Sequence, residues 1–115
     1  MKDYLEWLDA RHEEVGARQR ALSADLRQDE SDLMKAKANI YRICKTVWLS
    51  LSAHMPQRAE GAYEQQLSSF RQSWSAALAA ARQRDDPKAV AVEQLKLEAL
   101  EEICARYRAA REART

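Results

Sequence analysis

The chain has 115 residues, 19 basic and 18 acidic, and its 46% hydrophobic content includes 21 alanines. Four valines, three isoleucines, two threonines and two glycines are too few for strands and their turns, which excludes a sheet-rich fold. Balanced charge and regularly recurring large apolar residues exclude disorder, and a net charge of +1 gives none of the strong basic field usual in nucleic-acid-binding domains.

The longest stretch without Asp, Glu, Lys or Arg is Thr46 to Gln57, twelve residues that include His54 and Pro56. A spanning helix needs about 20 apolar residues, so none is expected. The first residues, Met1-Lys2-Asp3-Tyr4-Leu5-Glu6, carry acids where a signal peptide has a basic and then an apolar run. Cys44 and Cys104 are the only cysteines and form no CxxC motif. A cytoplasmic location is the expectation.

The first segment carries Leu5, Leu8, Val15, Leu22 and Leu26, with His12 and Gln19 in the gaps. Steps of three and four mark a helix packed against other helices. Tyr4 and Trp7 flank that stripe. The second segment repeats the pattern with Leu33, Ala36, Ile40, Ile43, Cys44, Val47 and Leu51, and Tyr41 and Trp48 widen its face. His54, Met55 and Pro56 end it, because a helix seldom passes unbent through proline.

Between these stripes, Arg27-Gln28-Asp29-Glu30-Ser31-Asp32 holds neither Gly nor Pro. Two readings compete. A single helix over 2–54 would be roughly 80 Å long at about 1.5 Å per residue. Alternatively a tight turn breaks it, with Asp29 or Ser31 capping a new helix. Matched segment lengths favour the turn.

The third segment begins between Gln57 and Gly61 and carries Tyr63, Leu67, Phe70, Trp74, Ala77, Leu78 and Ala81. The fourth begins at Asp85-Asp86-Pro87, an acidic cap before a proline at the first helical position. Its apolar residues, Val90, Val92, Leu95, Leu97, Leu100, Ile103, Cys104 and Tyr107, cover more than half of a helical wheel. A face that wide touches neighbours on two sides. The predicted fold over residues 1–115 is therefore a single all-α domain, an antiparallel four-helix bundle. The alternative is the long helix 2–54 with two shorter helices, assembled as a dimer.

Catalytic and metal chemistry find little support. His12 and His54 are the only histidines and neither follows Glu by three residues, so a di-iron bundle motif is missing. His12-Glu13-Glu14 has no partner histidine four residues on, which excludes a zincin helix. The two glycines stand apart at 16 and 61, so no phosphate-cradling loop exists. Both cysteines fall on apolar stripes, where they read as small core residues. The expectation is no catalytic residue, no metal and no cofactor.

Association with protein is what remains. Trp7 lies beside the first stripe, Trp48 and Leu49 toward the outside of the second, and the fourth helix has more apolar surface than one bundle contact uses. Trp7, Trp48, Leu49, Val92 and Leu95 are therefore the candidate interface, with self-association the commonest use of such a surface. The rival reading is a nucleic-acid or regulatory accessory protein. It would use Arg11, Arg18, Arg20 and Arg27 of the first helix with Arg106, Arg108, Arg111 and Arg114 of the last. Salt sensitivity separates the two, since phosphate contacts weaken steeply with salt.

Overall fold

The computed structural model describes residues 1–114. It holds four helices: α1 (Lys2–Ala24), α2 (Gln28–His54), α3 (Ala59–Gln83) and α4 (Pro87–Ala113). The chain between α1 and α2 turns, so the long helix over 2–54 does not form. The break comes earlier than the acidic residues suggested. Asp29 and Glu30 lie in the first turn of α2, where they suit the positive end of its dipole, and Arg27 holds the cap position without a side-chain bond.

The turn itself is a Schellman motif. Arg27 N–H donates to Leu22 C=O at 2.9 Å and Leu26 N–H to Ser23 C=O at 3.1 Å, with Leu26 left-handed at φ 61°. The α3–α4 turn repeats the device. Asp86 N–H donates to Ala81 C=O and Asp85 N–H to Arg82 C=O, with Asp85 at φ 52°. Asp86 then caps α4, accepting from Ala89 N–H at 3.1 Å, and Pro87 follows at the first helical position. That start was legible in the sequence. So was the end of α2 before Pro56.

Two antiparallel hairpins result, and they dock with their turns at the same end. Tyr4 packs on Tyr107, Arg106 on Trp7, and Arg11 on Glu102, so α1 and α4 run in opposite senses. The shared core lies in the first halves of α1 and α3 and the second halves of α2 and α4. It holds Leu8, Val15, Ile40, Cys44, Leu67, Leu100 and Ile103. Each helix adds one tyrosine to it, Tyr4, Tyr41, Tyr63 and Tyr107, all buried. Tyr63 packs edge-on against Tyr4, Tyr107 and Trp48 at 5.1 to 6.2 Å between ring centres.

Several stripes turned out differently from the aliphatic pattern. On α1, Tyr4 is buried and Leu5 is half-buried. Leu26 is 90% exposed, because the helix ends two residues before it. On α2 the buried face centres on Ala38, Tyr41 and Trp48, while Leu33, Ala36, Ile43 and Val47 are half-buried. Aromatic rings reach further across the space between hairpins than leucine does, and Ala38 permits close approach there. Ser31 is fully buried, donating to Gln19 C=O at 3.0 Å while Gln19 Nε2 donates to its hydroxyl.

The hairpins share this packing mainly at the end that carries the α2–α3 loop. Toward the turns, residues of α3 and α4 such as Trp74, Leu78, Val90 and Leu95 are only half-buried. The radius of gyration is accordingly 15.4 Å, above the ~13 Å of a closed globule of this length.

Candidate association surface

Two surfaces combine aromatic or apolar side chains with partial exposure. The first is the seam between α1 and α4. Arg11 Nε donates to Glu102 Oε1 at 2.9 Å, and Tyr41 donates its hydroxyl to the same oxygen at 3.0 Å while accepting from Arg11 Nη2 at 3.2 Å. Glu14 takes the other side of the guanidinium at 2.8 Å. Burial works against the Arg11 cation, but the bonds from Glu102, Glu14 and Tyr41 outweigh it and raise its pKa. The Tyr41 hydroxyl is pushed up to about 12, first by burial. Trp7 lies half-buried beside this cluster. It stacks on Tyr4, meets Tyr41 edge-on at 5.9 Å, and carries Arg106 5.6 Å above its ring.

The second surface is the arm formed by the end of α3 and the start of α4. Phe70 and Trp74, four residues apart on one face of α3, stack with centres 5.0 Å apart. Lys96 Nζ sits 4.8 Å from the Trp74 ring centre and 3.2 Å from Glu93 Oε1. The other Glu93 oxygen is buried without a hydrogen-bond partner. Val90, Ala91, Val92, Leu95 and Leu97 flank Glu93 and Lys96 along α4, all half-buried. The wide apolar face read from the sequence is present here, and one of its two sides is packed on α3.

The five candidate residues separate in space and in exposure. Trp7 is half-buried in the α1–α4 seam, and Val92 and Leu95 lie together on the arm. Leu49 is 46% exposed on α2. Trp48, expected at the edge of the second stripe and available to a partner, is instead buried against Tyr63 and Tyr107. Its indole completes the tyrosine core and presents no face to a partner. The sequence pattern missed the pairing of Trp74 with Lys96, which depends on how α3 and α4 register. It also missed the orphan oxygen of Glu93.

Both cysteines are buried and His54 is hydrogen-bonded. Cys44 and Cys104 are free and buried, and burial pushes the Cys44 thiol up to about 12. His54 bonds Ser50 C=O through Nδ1 at 2.8 Å. Among the described residues, no group of three or more His, Cys, Asp or Glu side chains is placed to hold a metal ion. Arg11, Arg20, Arg27, Arg111 and Arg114 each pair with a carboxylate of their own chain. No described helix is long and apolar enough to cross a membrane. Comparison of the chain with family models, with curated proteins and with solved structures finds no match.

Proposed function

We propose that the chain is a non-catalytic association module that binds protein through the arm of α3 and α4. The observation that carries this reading is the half-buried run Val90, Ala91, Val92, Leu95 and Leu97, in a molecule that buries all four of its tyrosines and Trp48. Water-exposed apolar area of this kind costs about 25 cal/mol for each Å² left uncovered, and a partner helix removes that cost. Trp7 on the α1–α4 seam is a secondary anchor. The two free thiols suit a reducing, cytoplasmic setting. The arginine-based reading has less support, since the guanidinium groups paired above already have their counter-charge within the chain.

A photo-crosslinking side chain placed at Leu95 tests the reading, with one at exposed Gln57 as control. In cells, the Leu95 probe is expected to give a discrete protein adduct that the control does not give and that Val92→Asp abolishes. Equal labelling from both positions, or labelling that ignores Val92→Asp, would refute association through the arm.

A further inference from the structure

We infer that the occupant of the arm is a second copy of the chain, laid antiparallel along α4 about a two-fold axis between Glu93 and Gln94. This rests on the association reading above and names its partner. Val92, Leu95, Ala99, Glu102 and Arg106 follow one another in steps of three and four, so they form one stripe of α4. The later part of the stripe is already an interface. Glu102 bonds Arg11, Arg106 covers Trp7, and Ala99 is buried. The earlier part continues the same face with Val92 and Leu95 half-covered and Lys88 exposed.

A two-fold contact is reciprocal, so the stripe must complement itself. In this register Val92 opposes Leu95 of the second copy, and Leu95 opposes its Val92. Ala89 comes level with Glu98 of the second copy and Ala91 with its Lys96, whose side chain stays on Trp74 of its own chain. No two like charges face each other, and the alanines let the helix axes approach to roughly 8 Å, the close end of the usual range. Lys88, next to Ala89, then comes within reach of Glu98 of the second copy, twice by symmetry. Both side chains are exposed, and neither has an ion-pair partner in its own chain among the described residues. Lys88 falls opposite Ala99 of the second copy, so the contact ends where α4 becomes buried in its own chain.

Light scattering after gel filtration, over a range of concentrations, tests the inference. The wild-type chain is expected to approach twice its 13.2 kDa mass, and Val92→Asp to remain monomeric. Lys88→Glu turns two attractive contacts repulsive and should raise the dimer dissociation constant by about fivefold or more. Lys88→Glu combined with Glu98→Lys should restore it. Both charged positions are exposed, so unchanged far-ultraviolet circular dichroism serves as the folding control. A monomeric mass throughout, or a dimer indifferent to Val92→Asp and to charge reversal, overturns the two-fold arm. A monomer whose Leu95 probe still captures a different protein overturns the second copy and leaves the association reading standing. A monomer with no adduct overturns both.

Discussion

Tyr4 donates its hydroxyl to Tyr63 across 2.7 Å at the point where the two hairpins meet. The direction follows from the next bond. Tyr63 has one hydroxyl proton and gives it to the backbone carbonyl of Cys44 at 3.0 Å, so it can only accept from Tyr4. Both rings are buried, at 1% and 0% exposure. Tyr4→Phe removes a donor and leaves no group stranded, at a cost of about 1 kcal/mol. Tyr63→Phe leaves the Tyr4 hydroxyl buried without a partner and should cost about 2 kcal/mol. The double variant should cost no more than Tyr63→Phe alone. Urea unfolding of the three variants measures this, and additive losses would contradict the assigned direction.

Alkaline pH should unfold the chain cooperatively through the same cluster. Burial raises the pKa of Tyr4 and Tyr63 strongly and pushes Tyr107 up to about 12, as it does Tyr41. The unfolded chain ionises at the ordinary tyrosine value of 10.0. An acid whose pKa is raised by folding stabilises the fold fully below its unfolded value, and that contribution is lost as pH rises toward the folded value. Stability should therefore hold to about pH 9 and fall between 10 and 12. Tyrosinate absorbance and helical circular dichroism should change together. A tyrosine titration centred near 10 with the helices intact would show that the rings are accessible.

The sequence made the four helices legible because their limits rest on local chemistry. Asp86-Pro87 and Pro56 act within a residue or two of their own position, and so does the stripe Tyr63, Leu67, Phe70, Trp74 on α3. Features decided across helices were not legible. Tyr41 and Trp48 lie deeper than Ile43 and Val47 because their hydroxyl and ring found partners on α1, α3 and α4. Val92 and Leu95 were readable as surplus apolar surface. The burial of Trp48 depends on Tyr63 and Tyr107, which no spacing on α2 reports.

Leu26 and Asp85 occupy equivalent left-handed positions in the two turns, at φ 61° and 52°. A leucine pays roughly 1 kcal/mol or more there, while aspartate tolerates the region better. The Leu26 side chain is 90% exposed, so its removal loses little packing. Leu26→Gly should stabilise the chain by about 1 kcal/mol, after allowance for the extra freedom of glycine when unfolded. The melting temperature should rise by about 4 °C. Asp85→Gly should gain less than half as much. Equal effects, or a loss at Leu26, would mean that the strain is relieved by something other than backbone conformation.

Glu93 and Lys96 form the most enclosed ion pair of the arm, with side chains 15% and 21% exposed. One carboxylate oxygen has no hydrogen-bond partner, whereas the ammonium has both the other oxygen and the Trp74 ring. The two charges are therefore unequal in what they lose when separated. Lys96→Met strands a largely buried carboxylate and should cost about 3 kcal/mol. Glu93→Leu leaves the ammonium over the indole, where a cation–π contact retains about 1 kcal/mol, so its cost should be smaller. The double variant, Glu93→Leu with Lys96→Met, replaces the pair by apolar side chains of similar volume and should match or exceed wild-type stability. Urea denaturation of all four proteins closes the cycle. A double variant as unstable as Lys96→Met alone would mean that Lys96 acts through Trp74 and not through Glu93.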